Sequence, residues 1–332
     1  MRRNVVALLM LTVVVAGCAS GRPDWTNDGK SKEFPSQRYY TGFGTSTNLD
    51  AAKSRARSSL TDQFMKKAVV AAKAEAVALR RENSQVASLV SSQRVHAIIK
   101  RRTDKIITGA RIAGTWLGPK TKHHYALAVL PRGQVTGSLR HEITRLDRAT
   151  GTYVKRSGRG DDMLRRIRSA SIALDAQIAR GAFHRILLET DKETVVNLWQ
   201  VTKLGADLDQ LLKRVRISPQ VVDDTTGTLL TSVQGALNGA GFRVNTDDTS
   251  ELILDVRLTL EDLGTRDNWY WSRGVLKMTL KERASGRDRG SVSWSIKAAG
   301  RSNSDAEQRI ADKSDSLLKR QIRASIIKFA TR

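Results

Sequence analysis

Between residues 252 and 298 the chain alternates apolar and polar side chains with a period of two. Leu252, Leu254, Val256, Leu258 and Leu260 share one face, and Asp255, Arg257, Thr259 and Glu261 share the other. After Gly264-Thr265-Arg266-Asp267-Asn268, a second run over 269–280 puts Gly274, Leu276, Met278 and Leu280 on its inner side. After Ser285-Gly286-Arg287-Asp288-Arg289-Gly290, a third run carries Val292, Trp294, Ile296 and Ala298. Strict alternation with short breaks predicts an antiparallel meander with one wet face. The period then lengthens. Ile310, Leu317, Leu318, Ile322, Ile326 and Phe329 recur at helical spacing, and Ser304-Asp305-Ala306-Glu307 has capping-box spacing. Acids lead this helix and Lys319, Arg320, Arg323 and Lys328 close it, as the helix dipole favours. A shorter helix, about 226–239, stops at Gly239-Ala240-Gly241. The C-terminal portion therefore reads as a sheet covered by two helices.

The N-terminal portion has the same ingredients in another order. Tyr39, Tyr40 and Phe43 suggest a short strand, and Gly42 and Gly44 are expected to bend the chain. Thr47 or Asn48 can cap a helix carrying Leu49, Ala52, Ala56, Leu60 and Phe64, with Asp50 in its first turn. An Ala-rich helical pattern continues over 66–100, as one helix or as two with a break near Asn83-Ser84. Residues 106–117 and 123–130 read as a hairpin around Gly118-Pro119-Lys120-Thr121-Lys122. Between the two portions, Val135, Leu139, Ile143 and Leu146 form one stripe, and Leu164, Ile167, Ile172, Leu174 and Ile178 another. Ser157-Gly158-Arg159-Gly160 separates them, which predicts a helical hairpin. The expected class is α+β: two small antiparallel-sheet-plus-helix domains (38–131 and 189–332) joined by a long helical hairpin (132–188).

The first residues change the picture from fold to location. Arg2 and Arg3 precede an apolar run over 5–15, the length of a signal-peptide core rather than of a bilayer span. Val15-Ala16-Gly17-Cys18-Ala19-Ser20 then resembles the lipobox of bacterial lipoproteins, in which the Cys becomes the acylated first residue. Residues 1–17 are thus expected to be a signal peptide and 18–37 a polar tether, with Trp25 as an anchor onto the first domain. Cys18 is the only Cys, so neither a disulfide nor a cysteine metal site can form within the chain. By resemblance to the Gram-negative sorting rule, Ala19 rather than Asp after the Cys implies the outer membrane, with the chain facing the periplasm. The net charge is +24, and without Arg2 and Arg3 it is two fewer, +22. Such a field attracts lipid headgroups, lipopolysaccharide, peptidoglycan carboxylates or acidic proteins; interspersed acids equally suit solvated helix faces.

Enzyme signals are weak. The sequence holds no Gly-x-Ser-x-Gly, no His-Glu-x-x-His and no complete Walker motif, since Gly29-Lys30-Ser31 has Asp24 where the motif needs its first Gly. His123-His124 would point to opposite faces of a strand, and Asp161-Asp162, Asp223-Asp224 and Asp247-Asp248 sit where Asp caps loops and helices. Gly42-Phe43-Gly44 invites comparison with a dinucleotide loop, but Thr47 stands where that loop needs its third Gly, and no βαβ alternation follows. We assign no catalytic, cofactor or metal residue. Trp269-Tyr270-Trp271 has two readings. In one, Tyr270 packs inward while the Trp pair lies under a helix or at an interface. In the other, Trp269 and Trp271 with Arg266 and Arg273 form an exposed contact surface. The basic run containing Arg165 and Arg166 is a second candidate contact surface.

Lipobox, tether with Pro23-Asp24-Trp25, and Tyr39-Tyr40-x-Gly42-x-Gly44 followed by Ala51, Ala52 and Ala56 together resemble the Lpp-twenty-type family of envelope lipoproteins over residues 23–131. The same stretch is similar to the N-terminal domain of the flagellar assembly protein FlgT, and the C-terminal domain is similar in element order to LpoB-type peptidoglycan-synthase activators. The resemblance implies a non-catalytic accessory protein of envelope assembly, with a palmitate-bearing Cys18 in the lipid bilayer. Its further partners would be envelope proteins or an anionic polymer such as peptidoglycan or lipopolysaccharide; no nucleic acid is expected. A cell-wall hydrolase is the reading from another class.

Overall fold

The computed structural model describes residues 22–191, 195–222, 227–245, 247 and 249–329. The chain divides into two compact units, residues 1–61 with 109–132, and residues 62–108 with 133–332. The class is α+β.

In the first unit, strand β1 (Tyr39–Ser46) pairs antiparallel with β3 (His124–Pro131), and β3 with β2 (Arg111–Leu117), giving the order β1-β3-β2. Helix α1 (Leu49–Glu82) starts here and runs on into the second unit. Asn48 caps it, its Oδ1 accepting from the backbone N–H groups of Asp50 and Ala51 at 2.9 and 3.0 Å. Gly42 and Gly44 do not bend the chain. Both lie inside β1, and neither has a positive φ. The glycines are needed for close approach: a Cβ on Gly42 would fall 2.3 Å from the Ala56 carbonyl oxygen, and one on Gly44 2.3 Å from that of Ala52. The helix sits directly on the strand because two side chains are missing. On the rest of the sheet, Trp25 and Phe34 are buried with Leu127 and Val129, flanked by Tyr39, Phe43, Trp116 and Tyr125. Trp25 is held by the turn it sits in, 24–26, where Asp24 Oδ1 accepts from the Trp25 backbone N–H.

The second unit has a helical part and a sheet part. Asn83 breaks the long Ala-rich helix and caps α2 (Ser84–Leu89), its Oδ1 accepting from the Val86 backbone N–H. Ser91 then caps α3 (Ser92–Ile106), so residue 106 closes a helix and not, as expected, opens a strand. Val95, Ile99, Thr103 and Ile106 explain this: they are buried on one helical face. Helices α4 (Arg132–Ser157) and α5 (Met163–Leu188) follow, the latter buried at every position from 173 to 180 and packed on α3 and on α6 (Val201–Arg214). A helix buried on every side over two turns is one surrounded by protein, and its Asp175, Gln177 and Arg180 therefore need partners within the fold.

The sheet part has five strands in the order β5-β4-β6-β7-β8. The meander is β6 (Leu252–Arg266), β7 (Trp269–Glu282) and β8 (Asp288–Gly300), antiparallel throughout. The expectation of a wholly antiparallel sheet needs correcting, because β4 (Arg216–Val222) joins β6 in parallel and β5 (Arg243–Val244) joins β4 in parallel. β5 pairs only with Arg216 and Ile217, so Pro219, which has no N–H, sits where β4 has no neighbour on that side. Helices α7 (Leu229–Gly239) and α8 (Asn303–Phe329) pack on each other, and α8 lies along β7 and β8. Gly274 and Gly290 make room for α8, since a Cβ would meet Ile310 Cγ2 at 2.4 Å and Phe329 Cδ1 at 2.3 Å.

Candidate functional site

The β6–β7 hairpin outruns the helix beside it. Asp267 and Asn268 form its two-residue loop with φ of 51° and 60°, the pattern of a type I′ turn, whose twist matches that of the flanking strands. Helix α8 begins at Asn303, whose Oδ1 accepts from Ser272 Oγ at 3.1 Å. Residues 261–271 lie past that point and are exposed on both faces. Trp269, Tyr270 and Trp271 are 40%, 40% and 38% exposed. The inward-Tyr reading is thus corrected: no packed layer reaches the end of this ribbon.

The structure gathers four of the expected contact residues on that ribbon. Arg266 and Trp269 are cross-strand partners that close the hairpin. Arg273 pairs across the strands with Glu261 at 3.2 Å. Trp269 and Trp271 line an open groove with Lys297, Ala298 and Ala299 of β8 and Arg309, Asp312 and Lys313 of α8. Sequence reasoning did not single out the last three charged groups or Lys297. Lys297 could have been found by register, since it pairs with Arg273 across β7 and β8. Arg165 and Arg166 are elsewhere, in the first turn of α5. Arg165 pairs with Asp162 at 3.3 Å, and Arg166 Nε donates to the Ser157 carbonyl at 2.8 Å, so both are engaged in holding the α4–α5 loop.

The acid pairs have structural work. Asp162 caps α5 and binds the buried Arg289, which also reaches Glu282 at 2.9 Å. Burial alone would raise the Asp162 carboxyl, but the hydrogen bond from Arg289 and the Arg165 N–H outweigh it and hold it below the usual range. Asp247 is lowered by the Thr249 hydroxyl and N–H, as in a local Asx turn. Asp223, Asp224 and Asp248 lie outside the described residues, as do Cys18 and the expected signal peptide and lipobox. His123 Nδ1 lies 2.8 Å from the Thr121 carbonyl. Among the described residues no group of three His, Cys, Asp or Glu is placed to hold a metal ion, and no helix is long and apolar enough to cross a membrane.

Two buried networks complete the polar inventory. Asp175 is fully buried; its carboxylate accepts from Arg94 Nε at 2.6 Å and from the Ser91 N–H at 2.8 Å. Burial pushes it up to about 6, against the opposing pull of Arg94. Asp147 accepts from Gln177 Nε2 at 3.0 Å and faces Arg180 at 3.5 Å, and Arg180 also donates to the Val195 and Val196 carbonyls. The networks tie helices and a connecting strand of chain together.

An aromatic-Gly-x-Gly strand lying on an Ala-rich helix, with a three-stranded sheet and a Trp-sealed core, makes a small α+β domain. Residues 23–131 match the LPP20 lipoprotein family. No match was found among curated proteins. Among solved structures, the chain is similar to a minor lipoprotein from Acinetobacter baumannii (16% identity, 36% of this chain and 87% of that one, TM-score 0.24). It is similar also to the secreted protein HP1454 from Helicobacter pylori (12% identity, 85% and 97%, TM-score 0.41). A third is lipoprotein GNA1162 from Neisseria meningitidis (12% identity, 31% and 98%, TM-score 0.24). At these scores the structural likenesses carry no argument about function. The family match supports a lipoprotein.

Proposed function

We propose that the chain is an outer-membrane lipoprotein, held by acylated Cys18 and facing the periplasm, that serves as a non-enzymatic assembly or accessory factor of the cell envelope. The observation that carries this is the order of two signals: the lipobox at 15–20 is followed directly by the LPP20 match at 23–131. Two or three acyl chains on one residue anchor stably, because each buried methylene contributes about 0.8 kcal/mol. The non-enzymatic reading is supported by how the buried charges are used. The buried Glu142, Asp147 and Asp175 are each committed to arginines or backbone N–H groups that hold elements together, and the half-buried Asp162 is held by Arg289. Growth with labelled palmitate tests the anchor, with Cys18→Ala as the control, and fractionation of the envelope on a density gradient tests the membrane.

A further inference from the structure

The groove beside the hairpin has a chemistry that structural packing does not use. Trp269 and Trp271, two residues apart on β7, lie on one face of the strand, their Cα atoms roughly 7 Å apart. The groove they wall is open and holds about 680 Å³. Its other lining is charged: Lys297, Arg309 and Lys313 against the single carboxylate of Asp312. Two of these cations are fixed in place. Arg309 Nε donates to Asp305 at 3.0 Å, and Lys313 Nζ donates to the Lys297 carbonyl at 2.8 Å. The Lys297 ammonium and both indole N–H groups have no acceptor among the described residues.

Flat π faces suit a ligand with C–H surfaces, since the negative face of an indole attracts positive C–H edges. Unmatched N–H donors beside them suit hydroxyl oxygens. Excess positive charge suits carboxylates. Together these describe a glycan that bears carboxylate-carrying substituents. A lipid surface fits less well, because the exposed end of the ribbon carries Asp262 and Asp267 against Arg266, with Glu261 paired to Arg273, and so offers an anionic headgroup layer no net attraction. Phosphorylated sugars also fit less well: the cations are spread singly along the wall, Arg309 is already engaged, and Asp312 opposes a doubly charged group.

We propose that this groove binds peptidoglycan, with Trp269 and Trp271 stacking on sugar faces and Lys297 and Lys313 meeting the carboxylates of its stem peptides. The proposal rests on the reading of the chain as an envelope lipoprotein, which brings it to that polymer.

The test uses the full mature chain carrying Cys18→Ala, so that no acyl chain confuses sedimentation with purified sacculi. The chain is expected to sediment, less so as salt rises. Trp269→Ala with Trp271→Ala lowers the affinity about tenfold or more, a loss of about 1.4 kcal/mol. Trp271→Phe keeps most of it. Lys297→Ala with Lys313→Ala weakens binding and flattens its salt dependence. All four positions are at the surface, and circular dichroism checks that each variant is folded. The proposal is overturned if the parent chain stays in the supernatant or if the double Trp variant sediments equally well. It is also overturned if lipopolysaccharide or anionic vesicles compete the chain off the sacculi, or if the Trp pair proves to be the contact of a dimer. Palmitate labelling of Cys18 is read separately in cells, so loss of glycan binding and loss of the lipoprotein reading are distinguishable.

Discussion

Gly42→Ala and Gly137→Ala are one chemical change with opposite expected signs. At Gly42 the added methyl would lie 2.3 Å from the Ala56 carbonyl oxygen, 2.7 Å from Leu60 Cγ and 2.9 Å from the Leu60 backbone nitrogen. Two of those atoms belong to the α1 backbone and cannot rotate away, so β1 and α1 must separate. Overpacking of this kind costs about 1–3 kcal/mol or more. The gain from a less flexible unfolded chain, about 0.4–1 kcal/mol, offsets only part of it. At Gly137, exposed within α4, nothing lies within 4 Å of the added methyl. There Ala should stabilise by about 1 kcal/mol, the usual helix-interior difference. Scanning calorimetry of the purified chain should show the melting of the first unit lowered by Gly42→Ala and that of the second raised by Gly137→Ala. Equal or raised melting for Gly42→Ala would refute the claim that the Gly-x-Gly strand exists for close packing.

Other outcomes follow from the buried charges and the leader. Asp175 is pushed up to about 6 in the fold from an ordinary 3.8, so between those values the native state binds more protons than the unfolded one. Its contribution is therefore most favourable below pH 4 and falls by about 3 kcal/mol as pH rises through 6 to above 7. Asp175→Asn should remove that slope, and a wild-type-minus-variant difference in urea stability that stays flat from pH 4 to 7 contradicts the assignment. Asp147→Ala leaves Arg180 and Gln177 buried without their carboxylate and should cost about 3–5 kcal/mol in urea melts; a loss below about 1 kcal/mol would mean the Val195 and Val196 carbonyls suffice for Arg180. Ala19→Asp should move the chain from the outer- to the inner-membrane fraction of a density gradient, and unchanged fractionation counts against the sorting rule.

The meander and α8 were legible because each has one buried and one wet side, which is what a period of 2 or 3.6 records. β4 was not, since Arg216–Val222 contains Pro219 and finds its partner in parallel, while β5 has only two residues. The glycines of β1 were visible as residues, but the need for them lies in distances to α1 that no spacing encodes. The ribbon's aromatic face was visible too. Its exposure depends on where α8 begins relative to Ser272, a property of packing. The groove was the least legible part, because its walls come from three elements and its cations, Lys297, Arg309 and Lys313, read one at a time as ordinary surface charges.

If the chain is a lipoprotein, its folded units are tethered to the membrane through an acylated residue 18. Mass spectrometry of the N-terminal peptide, purified from envelopes of cells fed labelled palmitate, tests it most directly. The expected result is a peptide beginning at Cys18 and carrying two or three acyl chains, with no label on Cys18→Ala. An unmodified peptide, cleavage at another residue, or equal label on the variant would contradict it.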